Sequence, residues 1–254
     1  MRTLYQFPLS HFCEKARWLL DYKELDFVAQ NLVPGVHRAF AQIKTGQNKL
    51  PILRDQDRFI SGTTNIALYL DQTYPEHALL RAQPHLYHQA LEIDELSQEL
   101  GKHVRRWGLA HFLESSEEPL DILLGEQGYL RQFQKYTKPL LKNLMSKAYQ
   151  LQPEQVQASQ ENMDRIIKQL NQRLIEQGGR YLVGDRLGLA DIAVCSMLAP
   201  LLQMSETPWE KSDQSQLLPA FHDYQHQLQA LPLGQYVIRI YRNERHARVD
   251  WRGV

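Results

Sequence analysis

Residues 3–22 read TLYQFPLSHFCEKARWLLDY, and this stretch decides the fold. Thr3–Phe7 has the apolar character of a short strand, and His11–Tyr22 has the apolar spacing of an amphipathic helix. Leu25–Ala29 then alternates apolar and polar residues like a second strand. A strand, a helix and a strand in this order predict a parallel pair with a right-handed crossover.

The residues up to 75 continue the alternation of helices and short strands. A helix is predicted over His37–Ile43, followed by short strands at Pro51–Leu53 and Phe59–Ile60 around a turn at Asp55–Arg58. Thr64–Tyr74 predicts a helix that Pro75 ends. The order βαβαββα therefore predicts a thioredoxin-like α/β domain with an antiparallel edge, which we place at residues 1–76.

Beyond residue 85 the sequence has almost no strand signal, and we expect an all-helical domain at residues 86–254. Pro139 is expected to start, kink or split one of its helices, and residues 114–118 and 205–215 read as polar loops. The predicted helices are Leu86–Leu113, Tyr129–Tyr149, Glu161–Gln177, Leu189–Met204, Leu218–Leu231 and Leu233–Tyr241.

Composition excludes several classes of function. The 29 basic and 29 acidic residues give zero net charge, which argues against general nucleic-acid binding, since that depends on a basic surface. Neither a membrane-spanning run nor a secretory signal is expected from the sequence. With only two cysteines, a disulfide framework is not expected, and a reducing, cytoplasmic location is predicted.

Three local patterns carry chemistry. Ser10 is placed to cap the first helix, where a hydroxyl and the unpaired N–H groups can stabilise a thiolate. Pro51 opens a strand, where a cis bond can turn backbone groups toward a ligand. Thr63 begins another helix whose amino end suits a carboxylate. Taken singly, each pattern is better explained as ordinary capping or turn structure.

Together these patterns resemble the cytosolic glutathione transferases. The resemblance includes the segments KLPIL at 49–53 and SGTTNIALYL at 61–70, and extends to YLVGDRLGLADI at 181–192. In the last segment, Gly188 and Asp191 form half of a capping box, which is a folding device. The chain is therefore identified as a serine-type, bacterial-like member of this superfamily, with the usual pattern weakest over residues 114–160.

The resemblance implies a role for each matching residue. Ser10 matches the serine that activates the glutathione thiol, because the position of the alternative tyrosine is Gln6 here. The implied glutathione-binding residues are Phe12, Lys49, Leu50, Pro51, Gly62 and Thr63. Gly62 departs from the family pattern, which has Glu or Asp there to contact the α-amino group of glutathione.

Four other features have competing interpretations. Cys13 aligns with the second cysteine of a glutaredoxin-like C-x-x-C and is a candidate redox residue, or else a partly buried, weakly acidic thiol. Cys195 is expected in the core. The C-terminal arginines read as a solvated face or as a tail folding over the pocket. His103, Trp107 and His111 share a helical face, and fit a wall of the hydrophobic-substrate pocket, a surface or dimer-facing stripe, or a weakly indicated metal site.

Three functions remain open at this stage. The first is a glutathione transferase, with glutathione as co-substrate, attacking a hydrophobic electrophile or a peroxide. The second is a binding or interaction protein on the same scaffold, and the third is a thiol transferase that uses Cys13. The resemblance also implies a homodimer, without a resident metal.

Overall fold

The computed structural model describes residues 1–115, 120, 134–210 and 218–254. Four strands form one mixed sheet in the order β2-β1-β3-β4, with β1 parallel to β2 and antiparallel to β3. The strands are β1 Arg2–Gln6, β2 Phe27–Asn31, β3 Ile52–Asp55 and β4 Arg58–Ser61. This arrangement confirms the predicted thioredoxin-like topology.

Three helices accompany the sheet: α1 His11–Tyr22, α2 Val36–Thr45 and α3 Thr63–Thr73. The predicted second strand was displaced, since β2 begins at Phe27 and not at Leu25. The reason is local: the backbone N–H of Leu25 donates to Leu20 O in the turn that ends α1, at 3.0 Å.

In the rest of the described chain the regular elements are all helices, which confirms the predicted fold class of an α/β domain followed by an all-helical one. Its helices are α4 Pro84–Ser115, α5 Gln134–Tyr149, α6 Pro153–Glu176, α7 Leu189–Leu202, α8 Pro219–Ala230 and α9 Pro232–Glu244. None of the described helices combines the length and apolarity needed to cross a bilayer. The predicted helical residues 129–133 and the loop residues 116–118 and 211–215 lie outside the described residues, whereas 205–210 are irregular as predicted and Glu114 and Ser115 belong to α4.

Most helices of this domain differ from their predicted bounds by one to three residues, and the larger difference is at α6. Helix α6 begins at Pro153, eight positions before the predicted Glu161, because a proline in the first turn is compatible with helix initiation even where the sequence is polar. Helix α5 continues through Pro139, so that this proline does not split it.

Helix α7 is the centre of the helical core, and all of its residues are buried. The carboxylate of Asp191 accepts the backbone N–H of Gly188 at 2.9 Å and that of Leu182 at 2.8 Å. The Tyr236 hydroxyl donates to the same carboxylate at 2.5 Å. The predicted half capping box is therefore confirmed, and its carboxylate also ties α9 to the start of α7.

The C-terminal arginines form a solvated face only in part, since Arg242, Arg248 and Arg252 are exposed but Arg245 is largely buried. Arg245 lies 2.8 Å from both Glu14 and Asp21 of α1. Beyond it, the Asn31 N–H donates to Val254 O and the Val254 N–H donates to Ala29 O, each at 2.8 Å. The tail thus returns to the first domain and pairs with the outer edge of β2.

Candidate active site

Ser10 lies at the amino end of α1, after the turn that leaves β1. Its backbone is extended, with φ −90° and ψ 115°, and its N–H donates to Phe7 O at 3.1 Å. The Oγ atom accepts the N–H of Cys13 at 3.3 Å, which confirms the predicted N-cap. Because Oγ acts as an acceptor in this contact, its own proton remains available for donation.

The first turn of α1 offers further donors beside this hydroxyl. The backbone N–H groups of His11 and Phe12 have no acceptor among the residues that the structure describes. Such groups carry the positive end of the helix dipole. The amino end of α1 can therefore stabilise an anion through two amides and one hydroxyl.

Cys13 is enclosed below this surface. Its side chain is fully buried, and Sγ accepts the N–H of Phe7 at 3.5 Å. Burial raises the pKa of the Cys13 thiol by more than the hydrogen bonds with the Ser10 side chain and the Phe7 backbone lower it. The thiol is therefore weakly acidic and out of reach of a ligand, as one of the two sequence-based interpretations predicted.

The segment before β3 supplies backbone groups. The Leu50–Pro51 bond is cis, as the resemblance predicted. Within the described part of the chain, no group pairs with the N–H or the C=O of Leu50, whose side chain is half-buried. Lys49 is exposed beside it, so a ligand here would meet free backbone groups and a mobile cation.

Thr63, at the amino end of α3, is supported by a buried ion pair. The Lys15 ammonium donates to Thr63 Oγ1 at 3.0 Å and to the Asp94 carboxylate. Asp94 also accepts from Thr64 and Gln98. Burial lowers the pKa of Lys15 more than Asp94 raises it. The network joins α1, α3 and α4 directly beneath the helix end predicted to bind a carboxylate.

Gly62 has a conformation that explains why a side chain is absent. Its φ is +88°, in the left-handed region that L residues adopt at a cost. The residue is exposed. The side chain nearest to it is that of Asn65, whose uncharged amide donates to Ser61 O at 2.9 Å and does not replace a carboxylate. No acidic side chain of the usual family pattern is therefore present at this position.

The histidine and tryptophan stripe of α4 lies on the side away from α1. Trp107 is buried, 2% exposed, and its ring stacks on Phe221 with centroids 5.4 Å apart. His103 contacts Ser159 of α6 at 3.3 Å, and His111 contacts Trp107 O at 2.8 Å. His103 and Trp107 therefore pack against α6 and α8, while His111 packs on Trp107 within α4.

The face of α4 that meets α1 carries different residues, which the sequence analysis missed. They are Asp94, Gln98, Gly101 and Arg105, spaced by three or four positions along one side of the helix. His11 Nε2 lies 2.9 Å from Gly101 O, which places this face against the amino end of α1. A glycine within a polar stripe of a long helix was the available signal, because it marks a close approach.

Other features of the described chain add no second centre. Gln6, at the alternative tyrosine position, is fully buried and bonds to Arg17, Asn31 and Trp251, so it has a structural role. The described residues contain no group of three His, Cys, Asp or Glu side chains suited to a metal ion. Two surface pockets, between α4 and α6 and between α6 and α9, contain none of the predicted site residues.

Comparison with known families matches both halves of the chain. The model of the glutathione S-transferase N-terminal domain matches residues 4–78, and that of the glutathione S-transferase C-terminal domain matches residues 136–232. A curated relative, glutathione S-transferase 1 of Dianthus caryophyllus, is 26% identical over 231 residues, covering 88% of each chain.

Solved structures share the fold at lower sequence identity. A glutathione S-transferase from Rhodospirillum rubrum F11 is 21% identical, with a TM-score of 0.55, over 98% of this chain and 96% of that one. The β-etherase LigF from Sphingobium sp. strain SYK-6 is 18% identical, with a TM-score of 0.60, over 94% and 98%. A glutathione S-transferase from Methylobacterium radiotolerans, solved with glutathione sulfonate, is 17% identical, with a TM-score of 0.55, over 93% and 94%. With both of its domains matched in order, this chain belongs to the cytosolic glutathione S-transferase superfamily.

Proposed function

We propose that this chain is a serine-type glutathione transferase that activates the thiol of glutathione for attack on an electrophilic carbon or a peroxide. The observation that supports this most strongly is the Ser10 hydroxyl, which caps α1 while keeping its own proton free to donate. Two relatives solved with glutathione or its sulfonate support the choice of ligand.

The chemistry assigned to the protein is stabilisation of a thiolate. A hydroxyl donor and the amides of His11 and Phe12 favour the charged sulfur and lower the pKa of the bound thiol. The thiolate then forms a bond to the electrophilic carbon, the leaving group departs with its electron pair, and the thiol proton passes to solvent. Positioning of both reactants supplies the remainder of the rate.

The rest of the tripeptide is assigned to the remaining predicted residues. The free backbone groups of Leu50, before Pro51, would pair with the cysteinyl portion. Lys49 would meet the glycyl carboxylate. Thr63 and the amino end of α3 would hold the γ-glutamyl carboxylate, with the Lys15 ammonium positioning Thr63 through a hydrogen bond of 3.0 Å to its Oγ1.

Three variants of Ser10 test this proposal, with a chlorodinitrobenzene as electrophile. Ser10→Ala removes the donor, and we expect kcat/KM to fall about 100-fold or more, as for other lost anion-stabilising donors. Ser10→Asp keeps the helix cap but has no proton to donate, and is expected to be equally impaired, whereas Ser10→Thr restores activity. Equal turnover by all four proteins would reject the role of Ser10.

Gly62 favours a second candidate function, a binding protein with little catalysis. The missing carboxylate removes a contact to the α-amino group of glutathione, and its φ of +88° disfavours any replacement side chain. Calorimetry with glutathione separates the two functions. Absence of measurable binding heat would favour this candidate, whereas binding accompanied by turnover of an electrophile would favour the transferase.

We also propose that the protein acts as a homodimer in the cytoplasm, in keeping with its superfamily. Light scattering on the purified chain, at several concentrations, measures its mass in solution directly. A mass that stays at 29.7 kDa would contradict the dimer and leave the assignment of Ser10 unaffected.

A further inference from the structure

Helix α4 approaches the amino end of α1 most closely at Gly101. A Cβ atom added there would lie 2.9 Å from Phe12 Cζ and 3.2 Å from His11 Nε2, closer than side chains normally pack. Arg105 lies one turn further along α4 on the same face. It therefore faces the first turn of α1, where the thiolate site is proposed.

The guanidinium of Arg105 lies between two aromatic rings. Its Cζ atom is 5.6 Å from the centre of the Phe12 ring and 4.8 Å from the centre of the Tyr149 ring, at the end of α5. Phe12 is two residues after Ser10 and is half-buried. An aromatic molecule that reaches the sulfur could therefore contact an aromatic ring and a cation together.

Arg105 has no counter-ion in the described portion of the chain. Its Nε atom is buried without a hydrogen-bond partner, and burial lowers the pKa of Arg105. His11 beside it adds no charge, since burial and Arg105 lower its pKa to about 3. A cation held largely out of water without a partner is costly, and an incoming anion would offset that cost.

Most other buried cations among the described residues are paired closely, although Arg81 also has two buried nitrogens without a hydrogen bond and lies 3.8 Å from Asp185. The side chains of Lys15, Arg17, Lys23 and Arg245 all lie within 3 Å of a carboxylate oxygen. Arg106, the next residue of α4, donates to Tyr149 O at 2.9 Å and to Ser159 Oγ at 2.9 Å. These contacts pair the cations with acceptors inside the fold, whereas the Arg105 guanidinium lies beside two aromatic rings and, in the part of the molecule that the structure describes, beside no carboxylate.

We propose that Arg105, flanked by Phe12 and Tyr149, binds the acidic group of the second substrate, which is an aromatic electrophile carrying a carboxylate or a similar anion. This inference rests on the proposed function, because it places that electrophile beside the sulfur held near Ser10. It deepens the proposal by naming the substrate class. The rival explanation is that Arg105 stacks between the rings only to join α1, α4 and α5.

Two electrophiles of matched shape distinguish these explanations: neutral 1-chloro-2,4-dinitrobenzene and the anionic 4-chloro-3,5-dinitrobenzoate. In Arg105→Met we expect kcat/KM for the benzoate to fall roughly 10- to 100-fold, the effect of losing a charge-assisted hydrogen bond. The value for the neutral compound should stay within about 3-fold. Arg105→Lys keeps the charge and should recover part of the loss.

Lys102→Met serves as the matched control. It removes a charge from the exposed face of the same helix, where Lys102 pairs with Glu99 at 2.6 Å, and should leave both electrophiles unaffected. The melting temperature of Arg105→Met should equal or exceed that of the parent, because an unpaired buried charge is removed. A lower melting temperature, with equal losses for both electrophiles, would identify Arg105 as structural and overturn the proposal.

Two analogues without a leaving group distinguish a failure of the anion-site proposal from a failure of the proposed transferase function. Calorimetry measures binding of 3,5-dinitrobenzoate and of 3,5-dinitrobenzamide, with glutathione present. If neither chloride is turned over while benzoate binding depends on Arg105, the anion site is supported and the transferase proposal fails. If the neutral chloride reacts normally and Arg105→Met binds both probes like the parent, the transferase proposal holds and the anion site is rejected. A raised KM for glutathione with both electrophiles would assign Arg105 to glutathione and also reject the site.

Discussion

The amino terminus of helix α1 and the buried side of the same helix treat their polar groups in opposite ways. At the amino end, Ser10 keeps a free proton and the amides of His11 and Phe12 have no acceptor among the described residues. On the buried side of the same helix, Glu14 in the first turn and Asp21 in the last turn each lie 2.8 Å from Arg245. The amino terminus leaves its polar groups open to a ligand, and the buried side satisfies them within the fold.

This difference separates chemistry from architecture along a single helix. Open donors at a helix terminus cost little because they face solvent or ligand. Buried charges instead require partners, and removing one partner leaves the other charge buried and unpaired. Changes at the amino terminus should therefore affect reactivity, whereas changes on the buried side should affect the free energy of unfolding.

The largest expected effect on stability comes from Arg245→Met. The substitution leaves the Asp21 carboxylate buried without a cation and leaves Glu14 with Arg17 alone. We expect the free energy of unfolding to fall by about 3–5 kcal/mol, measured by urea unfolding. The folded fraction should keep its kcat with a chlorodinitrobenzene.

Arg242→Met is the control for this variant, because Arg242 lies three residues earlier on the same helix and is exposed. Its effect should stay within about 0.5 kcal/mol. If the two substitutions cost the same, the contact between tail and helix does not stabilise the fold as described.

A pH effect of similar origin is expected from Glu14. Burial raises its pKa, but Arg245 and Arg17 outweigh burial and lower the pKa from 4.5 to about 2. A carboxyl whose folded pKa is depressed stabilises the fold above its unfolded pKa. We therefore expect about 3 kcal/mol of stability to be lost as pH falls from 4.5 toward 2, measured by unfolding over this range.

The Glu14→Gln variant should show a flatter dependence on pH over the same range, since it has no carboxyl to titrate there. Asp191 acts with the opposite sign: burial raises its pKa from 3.8 to about 6, so its contribution declines as pH rises through that value. If Glu14→Gln loses stability at low pH as steeply as the parent does, the ion pairs of Glu14 with Arg17 and Arg245 do not cause the pH dependence.

What could be predicted from the sequence was what depends on near neighbours. The Ser10 cap and the Asp191 carboxylate both act over three residues, so residue type and spacing were sufficient to identify them. The order of strands and helices in the first domain followed in the same way. The strand β2 was misplaced because a hydrogen bond from Leu25 prolongs the turn after α1.

What could not be predicted depends on how distant elements meet. Periodicity on α4 revealed the stripe of His103, Trp107 and His111 but not which neighbour it faces, and the opposite stripe with Arg105 meets α1. Arg245 pairs with Glu14 across 231 positions of sequence, a separation that no local pattern encodes. Tertiary packing determined both outcomes.

The smallest expected effect comes from Cys13→Ala. Because the thiol is fully buried and its pKa is raised, the variant should keep its conjugating activity within about 2-fold. Native protein should also resist alkylation by iodoacetamide. Cys195→Ala is the matched control, as the second free and buried cysteine.

A selective loss of disulfide-reducing activity in Cys13→Ala, absent from Cys195→Ala, would support the thiol-transferase alternative. It would also show that reactivity is not confined to the open amino terminus of α1, because Cys13 is buried.

The pKa of the glutathione thiol when bound addresses the role of Ser10 most directly, and the ultraviolet absorbance of the thiolate reports it without any electrophile. In the parent protein we expect the pKa to lie at least one unit below the value of about 8.5 for a free thiol. In Ser10→Asp, which keeps the cap and lacks the donor, it should return to that value or above. A bound thiol with the same pKa in both proteins, or one not lowered in the parent, would contradict the assignment.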